Sequence, residues 1–196
     1  MRFLPFEMER YQSLWENIVD YNLSESGIHP LQLNELISND SLTKIMETPL
    51  GYNQTNGSHE LRELIAATFV NASAENILVT TGSSEANFLV TLRLLEPGDE
   101  IAIMLPNYMQ VWGMAQSIGA RVVPFHLKAT ENRWQIDWSE FDSAITPKTK
   151  LIAICHPNNP TGAQLAEEEI EKICIAAKKI NAWILSDEVY RGAEFE

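Results

Sequence analysis

Residues 155–162 read Cys155-His156-Pro157-Asn158-Asn159-Pro160-Thr161-Gly162. An apolar, β-rich stretch over residues 150–154 leads into them, and a helical pattern over 167–179 follows. A second apolar run at 182–185 then ends in Ser186-Asp187-Glu188-Val189-Tyr190. This order predicts strand, polar turn, helix, strand, acidic turn. In a parallel α/β sheet both turns fall at the carboxyl ends of strands, where such sheets place ligands. Two prolines stiffen the first turn, and Gly162 lets the backbone leave it. The loop is therefore expected to hold an asparagine amide outward. Asp187, at the end of the next strand, is expected to face the same crevice.

The alternation extends upstream. Residues 77–80, 100–104 and 121–125 read as strands, and 85–95 and 109–118 as helices, with Pro97-Gly98-Asp99 as a turn. Residues 134–138 are ambiguous. Ser139-x-x-Asp142 has the form of a capping box opening a short helix that ends near Pro147. The helix at 167–179 is expected to bury Ile170, Ile173, Cys174 and Ala177. Short apolar runs alternating with helices imply a three-layer α/β/α fold with a mostly parallel sheet covered on both faces. Before it lies a helical segment. Tyr11, Leu14, Trp15, Ile18 and Val19 have helical spacing over 7–21, and a short helix is expected at 31–37. A glycine-punctuated loop runs over 49–57. An amphipathic helix over 59–69 presents Leu61, Leu64, Ile65 and Phe69 on one face.

Composition narrows the function. With 45% hydrophobic residues in 196, the chain can build a core. A net charge of −13 argues against nucleic-acid or anionic-membrane binding. Two cysteines, Cys155 and Cys174, are too few for a disulfide scaffold and point to a reducing, cytoplasmic setting. No signal peptide or transmembrane run is evident. His126 and His156 have no metal-ligand spacing with each other or with the cysteines, so no metal site is expected.

Several residues at strand ends suit a ligand. Thr81-Gly82-Ser83-Ser84-Glu85 lies between a strand and a helix, where free N–H groups and the helix dipole favour a phosphate. It is neither a Walker loop nor a dinucleotide fingerprint; taken alone, an ordinary helix cap accounts for it. Tyr108, in Pro106-Asn107-Tyr108, suits stacking on a planar ligand, or is simply a half-buried loop tyrosine. Asp187 alone reads as a solvated turn, Asn159 as a turn residue and Tyr190 as core. It is their order at successive strand ends that makes a ligand crevice.

In that order the chain resembles the class I/II aminotransferases, fold-type-I enzymes that use pyridoxal 5′-phosphate (PLP). The resemblance runs from about Gly27 to the last residue. It is carried by Asn158-Asn159-Pro160-Thr161-Gly162, by Ser186-Asp187-Glu188-Val189-Tyr190, and by the stretch Tyr52…Gly57…Leu61-Arg62. It implies that Gly82, Ser83 and Ser84 hold the cofactor phosphate and that Tyr108 stacks on the pyridine. Asn159 and Tyr190 would bond the ring hydroxyl oxygen, and Asp187 would pair with the ring nitrogen. A carboxylate there keeps the nitrogen protonated, so that the ring accepts electrons from an amino acid losing its α-proton. Gly27, in Ser26-Gly27-Ile28, and Asn159 would lie near the substrate. Tyr52 would reach the phosphate of a neighbouring subunit, making a homodimer. Residues 1–48 would be an N-terminal arm with part of a small domain, and 49–196 the PLP-binding large domain.

The resemblance is incomplete. The Schiff-base lysine of such enzymes follows the Asp-x-x-Tyr motif by a few tens of residues, and the arginine that holds the substrate carboxylate comes later still. Neither position falls within 196 residues. The strand at 77–80 would also lose its sheet neighbour. The chain is thus expected to be the N-terminal half of an enzyme moving an amino group from an amino acid to a 2-oxo acid, inactive alone, with catalytic roles for Asp187 and Tyr190. Two alternatives remain open: a PLP-dependent lyase or synthase of the same fold, and a non-catalytic domain that binds a phosphorylated ligand or dimerises.

Overall fold

The computed structural model describes residues 3, 5–24, 26–27 and 30–194. Residues 8–80 form one compact unit, and residues 1–7 with 81–196 form another. The expected boundary at 48/49 falls inside the first unit.

The first unit carries helices α1 (Glu7–Trp15), α2 (Leu33–Leu36), α3 (Asn39–Met46) and α4 (His59–Ala66), and a 3₁₀ turn at Ala74–Asn76. The side chains of Ser38 and Ser58 accept from the N–H groups of Ser41 and Leu61 and so cap α3 and α4. Sequence periodicity missed α3, whose eight residues are largely polar and whose clearest signal is the Ser38 cap. α1 is shorter than the helical spacing over 7–21 suggested.

α4 departs from expectation in what it buries. Leu61, Leu64 and Phe69 are 42%, 64% and 46% exposed, while Arg62 and Ala66 are buried. Polar satisfaction explains the arginine. Arg62 donates from Nε to Gly57 O at 3.2 Å and from Nη1 to Ala74 O at 2.7 Å, so its guanidinium is hydrogen-bonded where it is buried. Gly57 lets Val79 pack closely against this turn. Its φ is +94°, and a Cβ there would lie 2.4 Å from Val79 Cγ2.

Residues 77–80 are not a strand. Ile77 N–H closes the 3₁₀ turn on Ala74 O, and Val79 N–H donates to Asn56 O at 3.1 Å. A β-rich sequence becomes a strand only where a neighbour offers a ladder. Among the described residues none does so here.

The second unit is a sheet with helices on both faces. After α5 (Gly82–Leu94), strand β1 (Glu100–Leu105) is followed by α6 (Gln110–Ile118), β2 (Arg121–Ala129) and β3 (Trp134–Ile136). Then come α7 (Trp138–Ala144), β4 (Thr149–Cys155), α8 (Glu167–Ile180) and β5 (Trp183–Asp187). The strand order is β3-β2-β1-β4-β5. β1, β2, β4 and β5 run parallel, and β3 pairs antiparallel with β2. The ambiguous stretch at 134–138 is therefore an edge strand running into a helix. The cap of α7 is Asp137 and not Ser139: its Oδ1 accepts from Ser139 N–H at 2.9 Å and Glu140 N–H at 3.1 Å.

Alternation along the central strands divides the core. Ile101, Ile103, Leu151 and Ala153 pack with Val111, Ala115 and Ile118 of α6 and with Leu95. Ala102, Met104, Ile152 and Ile154 pack with Phe125, Phe141, Ile173 and Ala177 on the other face, under α7 and α8. Cys174 lies outside this core, exposed beside the buried Ile173.

Glu100, at the start of β1, is buried and bridges the amino end of the sheet. It accepts from Thr146 Oγ1 at 2.6 Å and from Arg121 Nη1 at 2.7 Å. The Thr146 hydrogen bond, and then Arg121, hold its carboxyl below the usual carboxylate range. Stability from a depressed carboxyl is present above the unfolded-state value and lost as pH falls through the native one. Denaturant midpoints are therefore expected to drop with acidification below about pH 4, and Glu100→Gln is expected to flatten that drop.

Candidate active site

The connection from β1 through α6 to β2 runs one way along the sheet, and the chain then crosses to the other side of β1 to lay down β4 and β5. The order reverses between β1 and β4, and such a reversal opens a crevice beyond the carboxyl ends of the strands. The loops at that edge are Pro106-Asn107-Tyr108 after β1, residues 156–162 after β4 and residues 188–190 after β5. The Leu105–Pro106, His156–Pro157 and Asn159–Pro160 peptides are cis.

The turn after β4 is built around Asn158, which is 3% exposed. Its Oδ1 accepts from Thr161 N–H at 3.2 Å and Thr161 Oγ1 at 2.7 Å, and its Nδ2 donates across the crevice to Pro106 O at 3.0 Å. Gly162, at φ +70°, closes the turn with its N–H on Asn158 O at 2.8 Å. Beneath it, the Asn159 N–H donates to Cys155 Sγ at 3.3 Å, and that thiol donates to Pro157 O at 3.4 Å. Burial pushes the Cys155 thiol up to about 11, so it packs and hydrogen-bonds but is no nucleophile. His156 accepts Leu165 N–H at Nδ1, 3.0 Å away, which leaves its proton on Nε2. The half-buried Asn159 side chain has no hydrogen-bond partner among the described residues.

Asp187 ends β5, in register with Cys155. Its Oδ2 accepts from Asn87 Nδ2 at 2.8 Å and its Oδ1 from Val189 N–H at 3.2 Å. Both oxygens are held, so the carboxylate cannot rotate freely, yet each keeps acceptor capacity for a donor arriving from the crevice. Tyr190 follows in the turn after Asp187, half-buried. Tyr108 is half-buried too, its ring 5.0 Å edge-to-face from Phe6.

The first turn of α5 is Gly82, Ser83 and Ser84, all exposed. Gly82 has φ +77°, a left-handed conformation that L side chains strain to adopt, and the space where its Cβ would project is open. The carboxylate of Glu85 accepts the Thr81 N–H at 2.6 Å. The N–H groups of Ser83 and Ser84 precede the first intrahelical bonds and point outward. α5 is tied into the crevice by Gln110, whose Nε2 donates to Ser84 O at 2.8 Å. Gly82, Ser83, Ser84, Tyr108, Asn159, Asp187 and Tyr190 all belong to the second unit. Gly27 and Tyr52 belong to the first, both exposed, and Ile28 of the expected substrate loop lies outside the described residues.

This donor set fits a planar anionic ligand with a basic ring nitrogen. It offers outward N–H groups and hydroxyls at a helix N-terminus, an amide without a partner, a phenol and a fixed carboxylate. Sequence reasoning missed the residues that brace the set. Asn87 stood out only as a polar residue inside the apolar run Ala86-Asn87-Phe88-Leu89-Val90, and Asn158 was overshadowed by Asn159. Gln110 carried no signal. Among the described residues there is no cluster of three or more metal-ligating side chains, and no helix is long and apolar enough to cross a membrane.

Comparison with known proteins agrees with this geometry. The chain matches the class I and II aminotransferase family over residues 21–196 and belongs to it. A PLP-dependent aminotransferase from Streptococcus suis superposes with a TM-score of 0.89 at 34% identity, covering 97% of this chain and 52% of that one. An aspartate aminotransferase of Musicola paradisiaca is 38% identical over 121 residues, 62% of this chain and 30% of its own. An arginine–pyruvate transaminase of Pseudomonas aeruginosa is 33% identical over 153 residues, 74% of this chain and 38% of its own. The chain spans 30% to 42% of the length of such curated relatives.

Proposed function

We propose that this chain forms the cofactor-holding part of a PLP-dependent aminotransferase, an enzyme that moves an amino group from an amino acid to a 2-oxo acid. The observation that carries the reading is the carboxylate of Asp187, pinned by Asn87 and Val189 at the end of β5, the strand paired with β4, which leads into the turn of Asn159. When bound, PLP supplies a pyridinium that accepts the electrons left when an amino acid loses its α-proton. Asp187 serves as the counter-ion that keeps the ring nitrogen protonated. Ser83 and Ser84 N–H groups and hydroxyls, with Gly82 leaving room for close approach, hold the phosphate at the start of α5. Asn159 and Tyr190 donate to the ring oxygen and fix the rotation of the ring. Tyr108 packs against its face, and Asn159 borders the substrate.

The lysine and the substrate-binding arginine of this chemistry are assigned to polypeptide outside these residues, in keeping with the greater length of the relatives. None of the seven lysines here stands at the position the family's Schiff-base lysine takes after the Asp-x-x-Tyr motif. Lys128 pairs with Asp137 and Glu140, and Lys172 lies 3.8 Å over the Trp138 ring. A homodimer, in which Tyr52 reaches the partner's phosphate, and a cytoplasmic setting belong to the same reading. The relatives are named for aspartate and for arginine with pyruvate, so the substrate side chain is left to experiment.

Protein produced from the whole gene, supplied with PLP, amino-acid donors and 2-oxo acids, tests the reaction type. The expected result is a new amino acid formed in step with a new 2-oxo acid, dependent on the acceptor. Product release without an acceptor would move the protein to lyase chemistry.

A further inference from the structure

We infer that Asn87 is a positioning residue that aims the Asp187 carboxylate at the ring nitrogen of the cofactor; the inference rests on the role proposed above for Asp187. Asn87 is 4% exposed, an unusual place for an amide on a helix. Its Nδ2 faces two acceptors, Asp187 Oδ2 at 2.8 Å and Gln110 Oε1 at 3.5 Å. Two acceptors on one side decide the orientation of the amide, because a flipped side chain would set its own oxygen against both. Gln110 in turn donates to Ser84 O at 2.8 Å. A single chain of polar side chains therefore runs from the N-terminal turn of α5 to the acid at the end of β5.

The placement on α5 matters. The helix presents Ser83 and Ser84 in its first turn and Asn87 one turn further in, about 1.5 Å of rise per residue. One rigid element thus sets the phosphate-holding N–H groups and, through Asn87, the carboxylate. The distance between the two ends of the ligand site is built into that helix. A free carboxylate at a strand end rotates about its terminal torsion. With Oδ2 on Asn87 and Oδ1 on Val189, its remaining lone pairs point in fixed directions.

The test compares two ligands in protein made from the whole gene: pyridoxamine 5′-phosphate, and its 1-deaza analogue in which the ring nitrogen is a C–H. Neither has an aldehyde, so binding is read without a covalent bond and without turnover. Dissociation constants are measured by equilibrium dialysis for wild type, Asn87→Leu and Asn87→Ser. The expected result is that wild type prefers pyridoxamine 5′-phosphate, and that either variant weakens this ligand about tenfold while leaving the deaza analogue within twofold. The ratio of the two constants is insensitive to partial loss of fold, and the serine variant keeps the test open should the leucine variant fail to fold. Equal weakening of both ligands would make Asn87 a packing residue and overturn the inference alone, as would an unchanged preference. Equal wild-type affinities would instead remove Asp187 from the ring nitrogen, and the inference would fall with that role.

Discussion

Asp187→Ala in the protein made from the whole gene is expected to lower turnover by about 10³-fold, the order associated with losing one preorganised electrostatic partner of a developing charge. The carboxylate is the group proposed to hold the ring nitrogen in its charged form, and no other acid lies in the loops after β1 and β4. The substitution also strips Asn87 Nδ2 of its 2.8 Å acceptor and leaves only Gln110 Oε1 at 3.5 Å. Asp187→Asn separates these effects. An asparagine oxygen still accepts from Asn87, so that half of the brace survives while the charge and the Val189 contact are lost. Comparable losses in both variants would assign the effect to charge. Turnover near wild type in Asp187→Ala would take the residue out of the chemistry.

Phe125→Ala is expected to cost about 3–5 kcal/mol of stability. Phe125 is fully buried on β2 and meets Phe141 edge-to-face at 5.1 Å. Phe141 in turn meets Trp138 at 5.3 Å, and Lys172 of α8 caps that indole. The ring is thus one contact through which the sheet holds α7, and α7 touches α8. Truncation removes the transfer free energy of the ring and leaves a void that Phe141 and Met104 cannot fill without leaving their own positions. Phe125→Leu keeps most of the volume and is expected to lose distinctly less. Urea denaturation of the two variants beside wild type measures the difference, and equal midpoints for all three would contradict this account of the core.

Much of the architecture was legible because it is written in local alternation. Residues 100–104, 121–125, 150–154 and 182–185 are short apolar runs between helical stretches, and every one of them is a strand of the parallel sheet. Failures came where neighbours decide. Residues 77–80 carry a strand-like sequence, but the Val79 N–H bonds Asn56 O and, among the described residues, joins no ladder. Trp134–Ile136 becomes a strand because β2 runs on to Ala129 beside it. The face of Leu61, Leu64 and Phe69 has helical spacing, yet α4 buries Arg62 and Ala66, the arginine held by the carbonyls of Gly57 and Ala74.

The site divides in the same way. The residues proposed to face the cofactor sit at turns, a helix start and a strand end that glycines, prolines and hydroxyls announce: Gly82, Ser83, Ser84, Asn159 and Asp187. Residues that hold those groups in place are read only from three-dimensional contact. Asn158 looks like its neighbour Asn159 in sequence, but it is the one that spans to Pro106 O. Asn87 is 100 residues from the acid it bonds, a separation no local pattern spans.

The most direct test of the central claim is the intact mass of the protein, isolated from its source, after incubation with PLP and reduction with borohydride. The account predicts one reduced pyridoxyl-phosphate adduct per chain, on a lysine other than the seven of this sequence, and its loss of occupancy when the Ser83 and Ser84 turn is altered. A protein that takes up no adduct under these conditions would contradict it.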